Sequence, residues 1–183
     1  LKQIVQAKKE GLNITCDVAA YNLLFEDSDV MDYDTNFKVN PPLRDKKDIR
    51  ALLKGTTSDA VDVIVSSHTP QDEESKKLEF DLAEFGMLGL QTFLPMVLSA
   101  TGKDLSVVLE KFTVNPRRIL GLPIPAIKEG EKAELTIFDV EKEWIYDENT
   151  NMSKSVNSPW MGKKLKGTVL GVVGNGRSFF NDF

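Results

Sequence analysis

His68 is the only histidine of the chain and Cys16 the only cysteine, so the side chains best suited to acid–base, nucleophilic or zinc chemistry are few. His68 stands in Ser66–Ser67–His68–Thr69–Pro70–Gln71, directly after the apolar run Ala60–Val61–Asp62–Val63–Ile64–Val65. A lone histidine supplies neither HxH nor HExxH spacing, and no zinc site assembles from these residues alone. Ser67 beside it carries a hydroxyl that is neutral near pH 7, a poor zinc ligand and a far weaker base than a carboxylate. One cysteine allows no intrachain disulfide, which is consistent with a reducing compartment.

The elements that would position this hexapeptide are legible in the apolar spacing. Residues 60–65 read as a parallel strand covered on both faces, and loops at the ends of such strands often carry function. Leu1 to Lys9 places Leu1, Ile4, Val5 and Ala7 on one side of a helix, with Gly11 as its stop. Leu12 to Val18 then reads as a strand, and Asn36 to Val39 as a brief one closed by Asn40–Pro41–Pro42. Asp45 is placed to cap a helix over Lys46 to Leu53, ended by Gly55. The polar stretch Ser66 to Glu84 reads as a mobile loop, with the charged run Gln71 to Glu79 as a solvated part of it. Leu88 to Ala100, Ser106 to Phe112 and Asn115 to Leu120 read as helices, the last capped by Asn115 with Pro116 at its first helical position.

Pro123 and Pro125 mark a change of texture. Beyond them Ala133 to Phe138, Glu143 to Tyr146 and Gly167 to Val173 alternate like strands, and Gly174–Asn175–Gly176 is a hairpin turn before Ser178–Phe179–Phe180. The expected organisation is residues 1–122 as part of an α/β barrel and 123–183 as strands of a small β unit. A complete (β/α)₈ barrel takes about 250 residues, so three parallel-type strands represent only part of one. Trp144 reads as core of the β unit, while Trp160 is left open between core and partner anchor.

Composition narrows the classes. Of the 183 residues, 41% are hydrophobic and 28% charged, the balance of a folded globular chain. No apolar stretch approaches the roughly 20 residues of a membrane span, and the charged N-terminal segment lacks the pattern of a secretion signal, so the expected address is the cytoplasm. A net charge of −5 argues against a nucleic-acid backbone as partner.

Tyr33–Asp34–Thr35–Asn36–Phe37–Lys38–Val39–Asn40–Pro41–Pro42–Leu43–Arg44 resembles the YDTNFKVNPPLR segment of dihydroorotases of the multifunctional-complex type, members of the amidohydrolase superfamily. Glu84 to Thr92, Asn115 to Leu122, Lys132 to Asp139 and Gly162 to Gly167 extend the resemblance in family order over essentially the whole chain. The fold this implies is the C-terminal part of an amidohydrolase (β/α)₈ barrel plus strands of a small β-sandwich. The activity it implies is zinc-dependent, reversible hydrolysis of dihydroorotate to carbamoyl aspartate in pyrimidine biosynthesis. Zinc there would activate a water and polarise the ring carbonyl, while a carboxylate moves the proton to the departing nitrogen.

Two departures stand out against that resemblance. The family's TDHAPH motif reads Ser66–Ser67–His68–Thr69–Pro70–Gln71 here, with Ser67 in the place of the catalytic aspartate and Gln71 in that of a substrate-contacting histidine. Its TAEVTPHH segment reads Thr15–Cys16–Asp17–Val18–Ala19–Ala20–Tyr21–Asn22, without either histidine. By resemblance Asn40, Gln71, Phe85 and Gly86 remain as vestigial substrate contacts, with no catalytic and no metal-ligating residue in this chain. Each has a plain reading as well, Asn40 as turn chemistry before two prolines and Phe85–Gly86 as a loop-to-helix junction. His68 reads as structural, because the family motif sets this histidine beside the catalytic aspartate and outside the metal's ligands. The expected function is a non-catalytic structural or regulatory subunit, homo- or hetero-oligomeric, with aspartate transcarbamoylase as the partner the resemblance suggests. The alternative is an active cyclic amidohydrolase whose zinc ligands lie upstream.

Overall fold

A computed structural model describes residues 1–102 and 105–181. Helix α1 (Lys2–Lys9) leads through Gly11 into strand β1 (Asp17–Ala19), which pairs in parallel with β2 (Val63–Val65). Helix α2 (Lys46–Thr56) lies between them in sequence, and α3 (Glu73–Lys76), α4 (Phe93–Thr101) and α5 (Val114–Ile119) follow β2. The remaining strands, β3 (Leu135–Tyr146), β4 (Lys163–Gly174) and β5 (Arg177–Phe180), form an antiparallel sheet in sequence order.

The parallel pair is anchored at its foot by Asp62. Its carboxylate accepts from Lys8 Nζ at 2.6 Å and from the Cys16 backbone N–H at 2.8 Å, tying α1, the start of β1 and the start of β2 into one knot. Burial pushes the Asp62 carboxyl up, but the bonds from Lys8 and Cys16 outweigh it and hold it below the ordinary aspartate value. Above this knot Val18, Ala20, Tyr21, Ile64, Met87 and Val97 are buried together, so the core lies between the parallel pair and α4.

Helix α2 begins where the sequence places it, with the Asp45 side chain accepting from Asp48 N at 2.8 Å. It does not stop at Gly55. It runs to Thr56, and Gly55 is buried inside its last turn with its carbonyl accepting from Val61 N, at a spot where an added Cβ would meet Val61 at 3.0 Å. The expected strand over 12–18 is confined to its end: the ladder opens at Asp17, just after the Cys16 carbonyl accepts from Asp62 N and Val63 N, and Leu12 is exposed. Residues 36–39 are not a strand: Thr35–Phe37 is a single 3₁₀ turn capped by Asp34, whose side chain accepts from Asn36 N. The apolar run at 88–92 precedes α4 without joining it, and the helix expected over 106–112 is a 3₁₀ turn at Leu109–Phe112. Asn115 does not cap α5, which starts at Val114. The Asn115 side chain instead donates to the Asp62 carbonyl at 2.9 Å.

In the antiparallel sheet the two expected strands at 133–138 and 143–146 are one irregular strand, with breaks in register after Ile137 and Asp139. Asn175 and Gly176, both at positive φ, make the tight turn between β4 and β5. Strand β4 packs on α4 through Gly167, which has φ +96° and where a Cβ would sit 2.3 Å from Leu98. Trp144 is half-buried and donates its indole N–H to the Gly167 carbonyl. Trp160 packs on the main core, its ring 5.2 Å from that of Phe25. No helix among the described residues is long and apolar enough to cross a membrane.

Candidate site at the end of strand β2

Strand β2 delivers the chain into Ser66–Gln71, and a parallel bridge between His68 and Met87 fixes this loop beside residues 84–88. Thr69 N donates to the Met87 carbonyl at 3.0 Å, closing the contact. Ser67 is held at φ +46°, a left-handed backbone conformation uncommon outside glycine, which sets its side chain toward Tyr21. Tyr21 Oη and Ser67 Oγ are 3.3 Å apart, and the tyrosine is 2% exposed. Burial pushes the Tyr21 phenol up and the Ser67 contact only partly offsets it, so both members of the pair are neutral.

His68 points its Nδ1 at the start of the segment leading to α4, accepting from Gly89 N at 3.2 Å and Leu90 N at 3.3 Å. Two N–H donors face Nδ1, so that nitrogen is occupied as an acceptor. Gln71 donates its Nε2–H to the Phe85 carbonyl at 2.9 Å, bringing two of the sequence-derived positions into direct contact. Gly86 is buried at φ +132°, where a Cβ would meet Thr69 at 2.6 Å, so only glycine fits between the two loops. Its N–H donates to the Lys38 carbonyl, and its own carbonyl accepts from Lys76 Nζ and Asn157 Nδ2. Asn40 is exposed at a cis peptide bond to Pro41 and shares no side-chain hydrogen bond with the others among the described residues. Asn22 is buried, its Nδ2 3.5 Å from the Pro42 carbonyl.

Three polar residues that hold this region together are absent from the sequence-derived set. Lys38 is 8% exposed, donates to the Asp81 carbonyl at 2.9 Å and lies 4.7 Å from the Phe85 ring centre. Lys76 is 7% exposed and donates to the Glu84 and Gly86 carbonyls. Burial, and then the nearby Lys38 ammonium, push its pKa down to about 8. The run 71–79 is therefore not simply a solvated loop: Asp72 caps the one-turn helix α3, which carries Lys76 inward. Asn157, 3% exposed, accepts from Gln71 N and donates to the Thr69 and Gly86 carbonyls, stitching the two site loops to the segment between β3 and β4. A lysine framed by Phe37 and Val39 is the one local signal that could have found Lys38.

The donor set does not fit zinc. The groups around Ser67 are neutral hydroxyls, Nδ1 of His68 is taken, and the described residues bring no three His, Cys, Asp or Glu together in a metal-binding arrangement. The side chains bonded here, Tyr21 to Ser67, His68 to Gly89 and Leu90, and Gln71 to Phe85, can accept and donate hydrogen bonds.

No family model matches the chain. Among curated proteins it is 41% identical over 178 residues to a dihydroorotase of Aquifex aeolicus, and 33% identical over 186 residues to one of Bacillus subtilis. These alignments take in 96% and 100% of the chain. The chain belongs to the dihydroorotase family. It spans 42% and 44% of the length of those two relatives, about two fifths of each. Among solved structures, an L-hydantoinase from Arthrobacter aurescens superposes with TM-score 0.86 at 25% identity, covering 97% of this chain and 41% of that one. The inactive dihydroorotase-like domain of a Chaetomium thermophilum CAD-like multifunctional protein superposes with TM-score 0.66 at 23% identity, covering 100% and 50%. The fold is thus that of the amidohydrolases, of which the dihydroorotase-family chain here contains part of the α/β barrel.

Proposed function

We propose that this chain acts in pyrimidine biosynthesis as a non-catalytic dihydroorotase-like subunit with a structural or regulatory role. The observation that carries the reading is the Ser67–Tyr21 pair at the end of β2, two neutral hydroxyls in the position where the family motif has an aspartate. A hydroxyl pair cannot take up the proton that ring opening must deliver to nitrogen, and Gln71 is spent on the Phe85 carbonyl. Zinc, in catalytic members, supplies the activated water; the residues at this site supply no set of ligands for it.

On this reading Asn40, Gln71, Phe85 and Gly86 are vestigial substrate contacts, with Gln71 now bound to the Phe85 carbonyl and Gly86 to Lys38, Lys76 and Asn157. Residues 1–122 furnish the barrel portion and 123–183 the sandwich strands. The subunit's place is the cytoplasm and its partner aspartate transcarbamoylase. Sedimentation velocity of the full-length protein mixed with that enzyme tests the assembly: a joint faster species is expected, and two independent boundaries at micromolar concentrations contradict it. The chemistry is tested by turnover of dihydroorotate with added zinc, where ordinary enzymatic rates would favour the alternative of an active cyclic amidohydrolase.

A further inference from the structure

The charge of this chain is segregated. Residues 26–34 and 72–84 hold eleven acidic and two basic residues, whereas all other positions together hold 17 acidic and 21 basic ones. The two acidic segments meet around an open groove of about 550 Å³ lined by Tyr33, Leu78, Glu79, Phe80 and Asp81. Its walls are apolar: Tyr33 is 74% exposed, its ring 5.8 Å from that of Phe80, and Leu78 is half exposed opposite. Met31 and Leu82 add exposed apolar surface in the same two segments. Of the two lysines there, Lys77 is paired with Glu73 and Lys76 is buried, while Glu79 and Asp81 form no ion pair among the described residues.

Exposed aromatic and aliphatic side chains beside uncompensated carboxylates have an obvious complement. We propose that this groove docks a segment of a partner protein carrying an apolar side chain flanked by lysine or arginine. The apolar side chain fills the space between Tyr33 and Leu78, and the flanking cations meet Glu79 and Asp81. Nucleic acid is repelled by this field, and an anionic membrane surface likewise. The groove also adjoins the site at the end of β2, because Lys38 Nζ lies 5.7 Å from the Phe80 ring and 4.7 Å from the Phe85 ring. An occupant that moves Phe80 is therefore felt at Phe85. This inference rests on the subunit reading and deepens it by assigning the surface that receives the partner.

The test uses the full-length protein and a labelled ten-residue peptide alternating leucine and arginine, followed by fluorescence anisotropy. Three comparisons are read: an arginine–glycine peptide of equal charge, the groove variant Tyr33→Ser/Leu78→Ser, and the control variant Phe179→Ser/Phe180→Ser. The first two are expected to weaken binding about tenfold or more and the control less than about twofold, with affinity falling as salt rises. Equal binding of the two peptides, equal effects of the two variants, or no binding at all overturns the proposal. Should the groove variant fail to fold, hydroxyl-radical footprinting of the unmodified protein decides it, with peptide-dependent protection of Tyr33, Leu78 and Phe80 expected and unchanged labelling contradictory. Self-association abolished by the groove variant would assign the surface to a second copy and overturn the proposal too. Turnover of dihydroorotate would remove the subunit reading while leaving the peptide result standing.

Discussion

Replacing Asn157 tests whether the site loops are held by hydrogen bonds or by shape. Its side chain makes three bonds, at 3.1 Å from Gln71 N and at 3.0 and 3.2 Å to the Thr69 and Gly86 carbonyls. Each net bond contributes about 1 kcal/mol, so Asn157→Ala is expected to cost about 3 kcal/mol, with the Gln71 N–H losing its acceptor. For a chain of this size 1 kcal/mol moves the melting temperature by about 2–4 °C, which puts the drop at about 6–12 °C. Asn157→Leu is the discriminating partner, because it restores volume without restoring a single hydrogen bond. Both variants melted by circular dichroism should fall together. A leucine variant that melts within about 2 °C of the parent, while alanine falls by the full amount, would show that packing alone holds the loops.

Three further outcomes follow from individual contacts. Lys76 is charged at a higher pH in the unfolded chain, where its pKa is the ordinary 10.5, than in the folded one, where it is about 8. The unfolded state therefore binds more protons between those values, so Lys76 contributes stability that rises from about pH 8 to about pH 10.5 and is lost on the way back down. The difference in melting temperature between parent and Lys76→Met should change across that window and be flat below it; a flat difference throughout refutes the assignment. Asp45→Ala removes the cap of α2 and should cost about 1 kcal/mol in urea denaturation, an unchanged midpoint being the contrary result. Gly167→Ala puts a Cβ 2.3 Å from Leu98 at a strained φ, and should lower stability by about 1–3 kcal/mol in the same assay, whereas a neutral outcome would mean that β4 and α4 are loosely packed.

What the sequence disclosed were features written locally. The Asp45 cap, the Asn175–Gly176 turn and the apolar run into β2 each need only neighbours within a few residues, and each is found near its expected place. Gly55 misled because its helical role is spatial, leaving room for Val61, while the strand read over 12–18 joins the ladder with β2 only over Asp17–Ala19. The polar framework of the site was hidden for a related reason. Asn157 meets Thr69 and Gly86 across 88 and 71 positions of sequence, and Lys76 finds its acceptor at Gly86 and a nearby carboxylate at Asp34 on other loops. Nothing in a run of glutamates and lysines marks the one lysine that turns inward. The Ser67–Tyr21 contact joins two positions that the family resemblance singled out separately, 46 residues apart.

The central claim, that hydroxyls at the end of β2 have replaced the chemistry of the family, is tested most directly by dihydroorotate turnover. The full-length protein and its Ser67→Asp variant would be assayed side by side with excess zinc. Both are expected to stay at background, because groups that act as a unit are not restored singly and Tyr21, Asn22 and Gln71 remain as they are. Rapid turnover by the unmodified protein, or full recovery in Ser67→Asp alone, would contradict the account.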